Sequence, residues 1–101
     1  MMATYAMLTR LSPEALARPE SVVDLNDQVE ARIKSECPEV KWVANYSVLG
    51  PCDYLDIFEA PDAETATKVT LLVRSVGHAT TETWVLTPWE RFESLAKGLK
   101  A

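Results

Sequence analysis

The stretch Lys41–Pro61, KWVANYSVLGPCDYLDIFEAP, decides how the rest of the chain must fold. Lys41 to Val48 alternates aromatic and β-branched residues with others, and Tyr54 to Phe58 alternates again before stopping at Ala60-Pro61. Between the two runs stands Gly50-Pro51-Cys52-Asp53, rich in turn formers. Two runs of period two around such a segment predict a β-hairpin. The same period sorts the hairpin onto two faces. Val43, Asn45, Leu55 and Ile57 fall on one, and Trp42, Ala44, Tyr46, Tyr54, Asp56 and Phe58 on the other.

The flanking segments read outward from the hairpin. Ser21 with Asp24 three residues on resembles a capping box. It predicts a helix through about Cys37, with Val22, Leu25, Val29 and Ile33 as its apolar stripe and Pro38 as its stop. Asp27, Glu30, Lys34 and Glu36 form its solvated face. Before it, Ala3–Leu11 reads as a strand with Tyr5, Met7 and Thr9 on one side and Thr4, Ala6 and Leu8 on the other. Ser12-Pro13-Glu14 then allows a short helical turn before Pro19. After the hairpin, Asp62 caps a helix over Ala63–Val76, with stripe Ala66, Val69, Leu72, Val73 and Val76, and Gly77 marks its end. His78 to Leu86 reads as a fourth strand, dividing into Ala79, Thr81, Thr83, Val85 and Thr80, Glu82, Trp84, Leu86. Thr87-Pro88-Trp89-Glu90 opens a final helix to about Leu99, which is expected to pack Phe92 and Leu95 inward.

This order predicts an α+β, ferredoxin-like βαββαβ domain over residues 1–101, with a four-stranded antiparallel sheet, both main helices on one face and an added C-terminal helix. One domain suits 101 residues. A composition 48% hydrophobic and 25% charged is that of a globular chain. The net charge of −5 disfavours nucleic acid and anionic membrane as partners. Two cysteines and one histidine give no basis for a zinc site or a disulfide scaffold, and the three scattered glycines form no phosphate loop. No metal or other cofactor is therefore expected. Cys37 reads as a small buried residue ending the helix; Cys52 sits in the turn without a basic neighbour to activate its thiol. No signal peptide or membrane span is visible, so a cytoplasmic location is expected.

With both helices on one face, the other face of the sheet is uncovered. Smaller aliphatic residues suit the helix side, which assigns the aromatic set, with Tyr5 and Met7, to the uncovered face. Such a face predicts a homodimer in which two sheets pack about 10 Å apart. Asp56 and Glu82 are expected together on it, among Tyr5, Tyr46, Tyr54 and Trp84. There a carboxylate with its pKa raised by apolar surroundings is a candidate catalytic base. Tyr5, Tyr46, Tyr54, His78 and Trp84 are the candidate ligand-binding residues. The same carboxylates equally suit hydrogen bonds to Tyr hydroxyls or ion pairs across a dimer. Arg10 and Arg74 are candidates to neutralise an anionic ligand, or ordinary surface charges.

The chain resembles the GYD-domain proteins of the dimeric α/β-barrel superfamily. The resemblance is carried by Leu11-Ser12-Pro13-Glu14-Ala15-Leu16, by Gly50-Pro51-Cys52-Asp53-Tyr54 running into Asp56-Ile57-Phe58-Glu59-Ala60-Pro61-Asp62, and by Thr81-Glu82-Thr83. Cys52 stands where the family has Tyr. The resemblance implies a ferredoxin-like fold and a dimer, with no fixed activity. Three functions stay open: a dimeric small-molecule binding or regulatory module, a cofactor-independent enzyme using Glu82 or Asp56, and a purely structural self-assembling protein.

Overall fold

A computed structural model describes residues 2–99. Its elements are β1 (Ala3–Leu11), α1 (Pro13–Leu16), α2 (Pro19–Glu36), β2 (Lys41–Ser47), β3 (Tyr54–Ala60), α3 (Ala63–Val76), β4 (Ala79–Leu86) and α4 (Trp89–Gly98). The strands form one antiparallel sheet in the order β2-β3-β1-β4. Helices α2 and α3 both pack on the face that carries Tyr5, Met7 and Phe58.

That packing overturns the expected sidedness of the sheet. Tyr5, Met7 and Phe58 are 4%, 1% and 0% exposed, at the centre of the helix-covered core. Phe58 stacks on Tyr5 at 5.5 Å and meets Trp42 edge-on at 5.4 Å. The reason is volume. The helices point Ala66, Val69, Val73, Val29 and Ile33 at the sheet, so the rings of the sheet fill what these smaller side chains leave, as close packing requires. Leu55 and Ile57, expected under the helices, lie on the uncovered face, because β3 alternates and its neighbours Asp56 and Phe58 point the other way.

In β2 the alternation itself breaks. Trp42 pairs with Phe58 and Ala44 with Ile57, so a bulge at Val43 moves the residues after it to the opposite side from strict alternation. Trp42 and Asn45 thereby share the covered face, while Ala44 and Tyr46 share the uncovered one. In β4 the expected division holds, since Trp84 pairs with Ala6 and Glu82 with Leu8.

The segment between β2 and β3 is a wider loop that leans across to β1. Val48 donates its N–H to the Asp53 carbonyl at 2.9 Å, and the Asp53 N–H donates to the Thr9 carbonyl at 2.8 Å. The Asp53 carboxylate accepts the Leu11 N–H at 2.8 Å, and Arg10 Nε donates to the Pro51 carbonyl. Asp53 thus extends the β1–β3 ladder beyond the Thr9–Tyr54 pair. Cys52 is buried within this loop.

Helix ends follow local chemistry with two departures. Helix α2 begins at Pro19, whose fixed φ suits a first turn, and the Ser21 hydroxyl donates back to the Arg18 carbonyl at 3.0 Å. The expected capping box is not formed. Helix α4 starts at Trp89 after Pro88, without the expected side-chain cap. For α3, the Asp62 carboxylate accepts the Thr65 N–H at 2.8 Å, as expected. At its far end the left-handed position is His78, with φ 51°. Gly77 is needed for a different reason. A Cβ there would stand 2.5 Å from the Val73 carbonyl oxygen and 3.3 Å from Val29 Cγ2 of α2.

The last helix is the second correction to the expected core. Phe92 and Leu95 are 50% and 52% exposed rather than packed inward, and none of the described α4 residues is buried. Trp89 stacks on Phe92 at 4.8 Å, leaving an apolar stripe uncovered.

Candidate binding site

The two candidate carboxylates lie on opposite faces of the sheet. Asp56 pairs with Met7 and faces α2, whereas Glu82 pairs with Leu8 and faces outward. Their expected shared site does not form, because the β3 face is inverted relative to the expected assignment and the β4 face is not.

Asp56 lines a cavity of about 40 Å3 between α2 and the sheet. Its apolar wall includes Met7, Val29, Ile33 and Trp42; its polar wall includes Thr9, Asn26, Glu30, Asn45 and Tyr54. Asn26, Glu30, Asn45, Tyr54 and Asp56 also line an outer recess of about 310 Å3. Asn45 Nδ2 donates to Asp56 Oδ1 at 2.6 Å, a contact made possible by the bulge at Val43. Desolvation pushes the Asp56 pKa above its ordinary 3.8, with Glu30 adding to the rise and the Asn45 hydrogen bond opposing it. Burial likewise raises the Tyr54 phenol, helped by the charges of Asp53 and Asp56. Thr9 is 3% exposed, and its Oγ1 has no hydrogen-bond partner among the described residues.

Glu82 lines a separate recess of about 180 Å3 with Leu8, Arg10, Cys52, Thr80 and Thr81. Its carboxylate accepts the Trp84 indole N–H at 3.0 Å. Trp84 and Tyr46 are 48% and 58% exposed. With Ala6, Leu8, Ala44, Leu55, Ile57 and Leu86 they make the uncovered face apolar. Tyr5 is a core ring away from any opening, and His78 is an exposed turn residue. Arg10 is engaged by Pro51, and Arg74 donates to Thr81 Oγ1 at 2.8 Å and to the Thr81 carbonyl at 2.9 Å.

Of the residues named from sequence, the cavity therefore gathers Asp56 and Tyr54, and the uncovered face gathers Glu82, Trp84 and Tyr46. Asn45 and Thr9 were missed. Thr9 was readable as the third member of the Tyr5–Met7 alternation. Asn45 was hidden, since nothing in the local sequence announces the bulge that turns it inward. Among the described residues, no group of three His, Cys, Asp or Glu is arranged to hold a metal ion. Among the described residues, no helix is long and apolar enough to cross a membrane.

By fold this is an α+β domain with one covered and one open sheet face. By sequence the chain belongs to the GYD domain family, whose model matches residues 5–96. It is similar to the Glutamine synthetase and cystathionine beta-lyase binding protein of Thermus thermophilus, with 31% identity over 86 residues that cover 81% of this chain and 85% of that protein. Its fold resembles that of the Leucine response regulatory protein of Mycobacterium tuberculosis, with a TM-score of 0.58 over 85% of this chain at 17% identity. The chain spans 51% of that regulator. The likeness is one of ferredoxin-like fold.

Proposed function

We propose that the protein is a dimeric regulatory binding module that engages an enzyme of amino-acid metabolism. The observation that carries this reading is the uncovered sheet face. Leu8, Leu55, Ile57, Trp84 and Leu86 form an apolar surface of a kind small soluble domains seldom leave wet. A second copy related by a two-fold axis covers it with the same residues, sheet against sheet, in the arrangement of a dimeric α/β barrel. Helix α4 follows β4 after Thr87 and Pro88, and its Trp89–Phe92 stripe is a second apolar surface left exposed.

The partner enzyme is argued from the Thermus relative, named for binding glutamine synthetase and cystathionine beta-lyase, and similar over most of both chains. Both described cysteines are free, which suits a reducing, cytoplasmic setting. Two measurements test the reading separately. Sedimentation equilibrium of the full chain is expected to give twice the chain mass, and a monomer at all concentrations would exclude the dimer. Immobilised chain is expected to capture purified glutamine synthetase or cystathionine β-lyase from the same organism. Failure to retain either enzyme excludes the partner assignment.

A further inference from the structure

We propose that the cavity between α2 and the sheet binds small aliphatic ammonium compounds, with the cation held between Asp56 and Thr9. The site lies on the covered face, so the proposal stands apart from the dimer and partner readings.

Three independent observations lead to it. The first is room. About 40 Å3 lies between Met7, Val29 and Ile33, about three water-sized volumes, and enough for a short alkyl chain. The outer recess shares the polar wall and supplies a way in. The second is an unanswered polar group. Thr9 Oγ1 is buried in this wall with no partner among the described residues, although buried hydroxyls almost always find one. Thr9 pairs with Tyr54 and Met7 with Asp56, so Thr9 and Asp56 are diagonal neighbours on one face. Diagonal neighbours stand about 7–8 Å apart along the backbone and closer at Cβ, which puts both side chains on one wall of the cavity.

The third observation is charge. Asp56 and Glu30 line the cavity, and no described lining residue of the cavity or of the outer recess is Lys or Arg. Arg10 is engaged by the Pro51 carbonyl, and Arg74 is held by Thr81, the cross-strand neighbour of Thr9, without lining the cavity. Lys34 lines an adjoining recess that shares Glu30, Ile33, Trp42 and Asn45 with the cavity. Asn45 occupies Oδ1 of Asp56 and leaves Oδ2 to accept from a ligand. The wall therefore favours a cation, and it has no group to neutralise a carboxylate. Simple amines fit this pattern; amino acids, which carry a carboxylate as well, do not.

The test is a titration of the uniformly 15N-labelled full chain followed by amide shifts, with n-butylammonium, n-butanol and butyrate as separate ligands. Saturable shifts at Thr9, Val29, Asn45 and Asp56 are expected with n-butylammonium at about millimolar concentration. Butyrate and butanol should bind about tenfold more weakly or not at all. Thr9→Val keeps the shape and should weaken n-butylammonium several-fold. Asp56→Asn should weaken it about tenfold. Equal shifts with all three ligands would reduce the site to a nonspecific apolar void and overturn the proposal. The absence of saturable shifts with n-butylammonium, or shifts confined to other residues, overturns it equally.

Discussion

The two faces of the sheet differ in what completes them. On the covered face Tyr5, Met7 and Phe58 are almost fully buried by two helices whose inward residues are mostly Ala, Val and Ile. On the open face Trp84 and Tyr46 remain about half exposed, and none of the described residues covers them. The same alternation produces both. A strand can only divide its residues into two sets; what each set meets is decided by other parts of the fold.

The contrast is sharpest at the centres of the two faces. Phe58→Ala removes a 0% exposed ring from between Tyr5 and Trp42. It should cost about 3–5 kcal/mol, a large part of the stability of so small a domain, read by urea denaturation. Trp84→Ala should leave the single-chain fold within about 0.5 kcal/mol and instead weaken self-association by about 2 kcal/mol, roughly 30-fold, read by sedimentation. An unchanged association constant breaks the assignment of the open face to a dimer.

Between these lies the loop that joins the strands. Asp53→Ala strips the acceptor from the Leu11 N–H and should cost about 1–2 kcal/mol in the same denaturation experiment. It tests whether the family segment Gly50–Asp53 acts on β1, as its hydrogen bonds imply. An effect confined to the turn would leave stability nearly unchanged.

The smallest effect concerns the covered face's one half-buried carboxylate. Burial and Glu30 raise the Asp56 pKa in the folded chain above 3.8, so the native state holds this proton more tightly than the unfolded state. The stability associated with that proton is complete below pH 3.8 and is lost as pH rises through the folded-state pKa. Asp56→Asn carries no such loss and keeps an oxygen for Asn45 Nδ2. Its stability relative to wild type should therefore grow with pH across that window and level off above it, read by thermal denaturation in a pH series. A flat difference would show that the cavity does not desolvate this group.

Much of this fold was legible locally. Caps and stops act within a few residues, and so Asp62, Pro38 and the boundaries of α3 were readable. The hydrophobic stripes of α2 and α3 were readable because one helix buries one side. The Ser21–Asp24 box fails because the helix starts at Pro19, three residues before the box would start it, and the Ser21 hydroxyl turns back to Arg18. Phe92 and Leu95 failed because an apolar stripe says that a helix has a partner surface and not where that surface is.

The candidate site was legible only in pieces. Strand alternation picks out Asp56 and Tyr54 but assigns them to the uncovered face, where it also joins Glu82 to Asp56; in the fold the sheet separates the two carboxylates. Sequence by itself determined the strands, the helices, the family segment around Gly50–Asp53, and which residues within each regular strand stand together. Tertiary structure alone decided which set faces the helices, because that depends on volume matching between segments far apart in the chain. It also decided where alternation breaks, at Val43, and so brought Asn45 to Asp56.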